Sequence, residues 1–172
     1  MKTAKEISLI GVFIALLIGG QLALSAISGV EVVTALCVSF FFFFGIRRGV
    51  IVATAFSLLR CFVFGFFVNV VILYLIYYNA LALAFGFLGK VFNKKVNVKT
   101  VISVTVVAVV FTVLFTVLDN FISLIYLGLS QKAFEIYFKA SLITMTSQII
   151  CVAVTVPLLF YPLVKIYKTV NI

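Results

Sequence analysis

Apolar residues run along this chain in six long stretches, over residues 7–28, 31–46, 49–66, 69–89, 100–125 and 138–162. About 20 such residues in a helix match a hydrocarbon core of about 30 Å. The second stretch is short and reads as tilted or as starting within the outer interface. Lipid offers no hydrogen bonds to the backbone, so runs of this length predict α-helices. A membrane β-barrel would need polar residues at every second position, and runs such as 39–44 and 106–111 lack them. The pattern predicts an all-α integral membrane protein, a six-transmembrane-helix bundle forming one domain over residues 1–172. Lys2 and Lys5 ahead of the first stretch resemble the entrance of a signal peptide, but five more stretches follow and no clean cleavage setting is present.

Composition strengthens this picture. Of the 172 residues 66% are hydrophobic and 10% charged, too little polar surface to cover a water-soluble domain. Charge then sets orientation. Lys2, Lys5, Arg47, Arg48, Lys90, Lys94, Lys95, Lys99, Lys165 and Lys168 all fall on one side of a six-span arrangement. The positive-inside rule makes that side cytoplasmic, with both termini, and the expected location is a bacterial cytoplasmic membrane. The net charge of +9 is thus a topology signal, and these small clusters do not form a nucleic-acid-binding face. Cys37, Cys61 and Cys151 stand singly in apolar runs, and histidine is absent, so neither a disulfide framework nor a metal site is expected.

Polar residues inside the stretches mark the candidate chemistry. Gly11, Ala15, Gly19 and Ala23 share one face of the first helix. Such a small-residue stripe suits close contact, either within the bundle or with a partner membrane protein. Arg60 rises about 18 Å above Arg48, to the depth expected of Glu31. It either pairs with Glu31 or joins a ligand pocket, because an unpaired arginine there is costly. Phe40–Phe44 surround their helix and read as lipid-facing or core filling. The fourth stretch carries Asn69, Tyr74, Tyr77, Tyr78 and Asn79, a set that suits a planar ligand or an interfacial belt.

Asp119 and Asn120 mark the outer end of the fifth stretch, and residues 121–129 are apolar enough to fold over the bundle as a lid. On the sixth, Ser141, Thr144 and Gln148 form a polar stripe, while Lys139 either snorkels or turns toward Asp119 or an acidic ligand group. Pro157 and Pro162 predict a kink or the end of that span. The longer polar groups concentrate in the outer half, which points to an outward-facing pocket. With no catalytic motif and no phosphate-binding loop, neither catalysis nor direct ATP hydrolysis is expected.

The run Gly29-Val30-Glu31-Val32-Val33-Thr34, the Phe-rich segment ending Gly45-Ile46-Arg47-Arg48-Gly49, and the tyrosine-bearing span ending Gly89-Lys90 resemble the substrate-binding S components of energy-coupling factor (ECF) transporters. The resemblance extends over nearly the whole chain. It implies capture of a vitamin, vitamin precursor or modified nucleobase from outside. Delivery would require a transmembrane T component and two cytoplasmic ATPases that use ATP, with no cofactor bound by this chain.

By the same resemblance, Gly11, Ala15, Gly19 and Ala23 would meet the T component, although the family's stripe is often all alanine. Asn69, Tyr74, Tyr78, Asn79, Asp119, Asn120, Lys139, Thr144 and Gln148 would form the pocket, extended by Glu31 and Arg60. Two other functions fit the pattern: a non-catalytic membrane scaffold for cell-envelope assembly, and an autonomous small-solute transporter. The second lacks an evident inverted repeat or ion-coupling motif.

Overall fold

The computed structural model describes residues 2–26 and 32–169. Among them the chain forms helices α1 (Lys2–Leu24), α2 (Val33–Phe44), α3 (Ile46–Leu59), α4 (Cys61–Phe64), α5 (Val68–Val91), α6 (Val98–Leu127) and α7 (Gln131–Thr169), and no strand. Four of these contain segments apolar and long enough to cross a membrane: Ala4–Leu24, Val68–Val91, Val98–Leu127 and Gln131–Thr169. With 12 and 14 residues, α2 and α3 measure only about 18 and 21 Å. Helix length therefore supports four full crossings, and α2 and α3 form a shorter pair between them.

The centre of the fold is α2, which packs against α1, α3, α5 and α7. Ten of its 12 residues are buried, so Phe40, Phe41 and Phe42 fill the core, while Phe43 and Phe44 are half-buried against its edge. Phe40 stacks on Phe13 of α1 at 4.1 Å between ring centroids, and Phe42 meets Phe160 of α7 edge-on at 5.1 Å. Where α5 crosses the α2–α3 turn, glycine is a requirement. A Cβ on Gly89 would collide with the Phe42 carbonyl, and one on Gly86 with the Ile46 backbone. Small residues are what let two helices approach this closely.

α1 lies on the outside of this core. Phe13, Ile14 and Leu17 are buried, while Gly11, Ala15, Gly19 and Ala23 are exposed. At about 100° per residue the small stripe faces directly away from the buried one. The bundle thus does not use this face, which removes the reading of an internal contact. α1 is fastened to α3 near both ends instead: Arg48 pairs with Glu6 at 2.7 Å, and Arg60 donates to Gln21 at 3.2 Å.

Several expected boundaries move. The third stretch breaks at Arg60, where α3 gives way to the single turn of α4, and Gly65 (φ 91°) then ends the helical path. No lid forms over residues 121–127, which continue α6 as helix until Gly128 (φ 56°) ends it. Pro157 and Pro162 lie inside α7, which continues to Thr169. Each proline costs one backbone donor, a loss membrane helices absorb when neighbouring groups re-satisfy the freed carbonyl. With 39 residues α7 is about 58 Å long, so it must tilt or extend past the headgroups of a bilayer about 40–45 Å thick.

Candidate solute-binding site

A recess of about 250 Å³ opens between α6 and α7, lined by Phe115, Thr116, Asp119, Tyr137, Ala140, Ser141, Thr144 and Gln148. Helical periodicity builds it. Tyr137, Ser141, Thr144 and Gln148 follow one another by three or four residues, and Ala140 lies three beyond Tyr137 and four before Thr144, so all five share a single face of α7. From α6, Phe115 supplies an aromatic wall and Asp119 a carboxylate. The Tyr137 hydroxyl donates to Asp119 Oδ2 at 2.6 Å and lies 3.1 Å from Ser123 Oγ. A phenol has one proton, so Ser123 is the donor in the second bond. The resulting Ser123–Tyr137–Asp119 chain fixes the carboxylate in orientation. Thr144 adds a hydroxyl that donates to the Ala140 carbonyl at 3.3 Å, and Gln148 adds an amide.

Next to this recess stands an aromatic cluster. Phe115 lies 4.7 Å from Tyr77 and 6.1 Å from Tyr74, and Tyr74 lies 5.2 Å from Tyr78. Arg60 closes the far side, its guanidinium 4.0 Å from the Tyr74 ring centroid and 4.9 Å from that of Phe64. Gln21 bridges the two, donating to the Tyr74 hydroxyl at 3.0 Å while accepting from Arg60 Nε. Phe115 is therefore shared by the recess and the cluster that holds Arg60.

The expected residues separate into groups. Asp119, Thr144 and Gln148 line the recess together. Tyr74 and Arg60 stand in the adjoining cluster. Tyr78, 2% exposed, is core and edge-packed on Phe56 at 5.1 Å. Asn79 is occupied by a helix–helix bridge, accepting from Thr54 at 3.2 Å and donating to the Leu75 carbonyl at 2.8 Å. Asn120 is likewise a bridge, donating to the Thr116 carbonyl and to Ser141 Oγ. Asn69 is half-buried in the first turn of α5 and is not one of the recess-lining residues.

Lys139 is exposed, and among the described residues it has no ion pair. Two residues beyond Tyr137, it lies about 200° around α7, so it faces away from Asp119 and the proposed contact fails. Glu31, the proposed partner of Arg60, lies outside the described residues.

Tyr137, Phe115, Ser123 and Gln21 were missed in the sequence. Tyr137 was legible, because the Ser141–Thr144–Gln148 stripe extends back to it by four residues once the helix is allowed to begin before 138. Gln21 carried a weaker signal as the one amide of the first stretch, on the side opposite the small residues. Among the described residues no group of three or more acidic, cysteine or histidine side chains is assembled that could hold a metal. Neither a protein-family model, nor a curated protein, nor a solved structure matches this chain.

Proposed function

We propose that this chain is the solute-recognition subunit of an ATP-driven membrane importer, as its resemblance to S components of ECF transporters implies. The observation that carries the reading is the α6–α7 recess, in which Tyr137 presents Asp119 beside Ser141, Thr144 and Gln148. The Ser141 and Thr144 hydroxyls also bond within the helix pair, but a pair with no ligand has little reason to hold an oriented carboxylate beside an amide at an open volume. Ligand sites of about 300–1,000 Å³ are usual, so a recess of about 250 Å³ suits a compact solute. A small vitamin, a vitamin precursor or a modified nucleobase fits that size and chemistry. Phe115 would stack on its ring and Asp119 would accept from a ring N–H or amine.

In this reading the short α2–α3 pair completes a six-helix bundle, both termini are cytoplasmic, and the recess opens outward. The lysine and arginine distribution supports that orientation. The outward-facing stripe Gly11, Ala15, Gly19 and Ala23 is the surface for a T component, and paired ATPases would supply the energy. The internal bridges of Asn79 and Asn120 favour one other reading, a scaffold whose polar residues only hold helices together. That reading leaves the recess unexplained.

Reconstitution tests the proposal. In proteoliposomes, uptake of a solute that the purified chain binds should require the T component, both ATPases and ATP on their side. Robust uptake by this chain alone would contradict the division of labour.

A further inference from the structure

A second recess, of about 390 Å³, lies where the α2–α3 turn meets the end of α5, lined by Phe42, Gly45, Ile46, Gly86, Gly89, Lys90, Asn93 and Lys94. Its floor and its rim differ in chemistry. Phe42, Ile46 and the two α5 glycines make the floor apolar, whereas Lys90 and Lys94 put two ammonium groups on the rim. Glu6 belongs to the same end of the molecule and is already paired with Arg48.

The backbone around the rim is unusual. Asn93 (φ 49°) and Lys94 (φ 56°) are successive non-glycine residues in the left-handed region, a conformation asparagine tolerates but which costs a lysine about 1–2 kcal/mol. The Lys94 N–H closes the end of α5 by bonding to the Gly89 carbonyl at 3.0 Å, and its ammonium lies 5.3 Å from the Phe43 ring centroid. Asn or Gly would form this cap with less strain, so a lysine is held beside the recess at a conformational cost.

An apolar track leads away from the same rim. Ile76, Leu83, Gly86, Phe87 and Lys90 share one face of α5, and Ile76, Leu83 and Phe87 are 50%, 52% and 60% exposed. From Lys90 the track reaches Leu83 at about 10 Å and Ile76 at about 21 Å, enough to accompany an acyl chain through one leaflet of about 15 Å. Two cations over an apolar hollow, continued by an exposed apolar stripe along a membrane-crossing helix, match a molecule with an anionic head and a hydrocarbon tail. A soluble anion would use the lysines and leave the track without a role.

We infer that the recess at Phe42, Ile46, Gly86, Lys90 and Lys94 binds one anionic phospholipid, its phosphate between the two lysines and an acyl chain along Leu83 and Phe87. The site sits at the opposite end of α5 from Tyr74 and is independent of the solute recess. A bound lipid would brace the α2–α3 turn against α5, where Gly89 and Phe42 touch.

Chain-labelled lipid spin probes test this in vesicles of phosphatidylcholine containing the protein. Labelled phosphatidylglycerol should outcompete labelled phosphatidylcholine at one site per chain with a relative association constant of about 25, since each of the two lysines favours an anionic lipid by about fivefold. The excess restricted signal should saturate at one lipid per chain. Lys90→Gln with Lys94→Gln should abolish the preference. Ile46→Trp should also abolish it by filling the hollow with both charges intact. Lys95→Gln with Lys99→Gln, which removes two exposed lysines outside the recess, should leave it. The inference fails if the native chain shows no preference, or if the Lys95/Lys99 pair matters as much as the Lys90/Lys94 pair. It fails also if excess glycerol phosphate displaces the probe, which would mark a site for soluble anions.

Discussion

Arg60 and Tyr74 are stacked, with the guanidinium carbon 4.0 Å from the centre of the phenol ring. The Gln21 amide binds both, so three helices meet through one cation, one ring and one amide. Burial of Arg60 to 8% exposure is tolerable because the ring face and the amide oxygen replace part of its hydration. The cluster places Tyr74 against Phe115 and so borders the α6–α7 recess from behind.

Removing either partner should therefore leave a buried charge short of contacts. Gln21→Ala should destabilise the protein by about 1–3 kcal/mol, the usual cost of an unsatisfied buried group, read as a lower unfolding midpoint in lipid nanodiscs. Arg60→Lys should not restore stability, because a compact ammonium cannot reproduce planar stacking together with the Nε–H bond. Equal stability of Arg60→Lys and the native protein would show that the stacking contributes little.

Gly89→Ala should be among the most damaging single changes. Its Cβ would collide with the Phe42 backbone, which cannot give way as a flexible side chain does, and a loss above about 3 kcal/mol is expected. Gly19→Ala adds the same methyl where nothing lies within 4 Å, and should be neutral or stabilise by up to about 1 kcal/mol through helix propensity. Thermal unfolding of the two variants side by side checks the contrast.

The exposed face of α1 gives a separate prediction. Gly11→Leu combined with Gly19→Leu should leave folding and solute binding intact, because both positions are open to the outside. The same pair should abolish co-purification with a T component, whose helix could no longer approach the α1 backbone. Retained complex formation would move the partner surface elsewhere.

Hydrophobic pattern made the helices legible, and the four longest stand close to where the apolar stretches lie. It could not show which short stretch becomes the core. The phenylalanines of α2 look the same in sequence whether lipid or protein surrounds them, and only the packing of Phe13, Phe160 and Tyr167 around them decides. Helix ends were misplaced for the same reason. The pattern alone marks neither the persistence of α6 through Leu127 nor the passage of α7 through two prolines.

The recess was half legible, because Asp119, Thr144 and Gln148 are polar residues at helical spacing. Asn79 and Asn120 have the same polarity and serve as bridges instead. Their side chains reach a carbonyl one turn back and a hydroxyl on the neighbouring helix, contacts fixed by helix packing and invisible in composition.

Equilibrium binding to the purified chain in nanodiscs, across labelled vitamins, vitamin precursors and nucleobases, tests the central claim most directly. One compact solute should bind saturably at one site per chain. Asp119→Asn should weaken it by about 1.5–3 kcal/mol, roughly 10- to 150-fold, since a charged hydrogen-bond acceptor is lost. Tyr137→Phe, which frees the carboxylate from its orienting phenol, should weaken it by a smaller factor. A solute whose affinity is unchanged by both substitutions, or a panel in which nothing binds, would contradict the account.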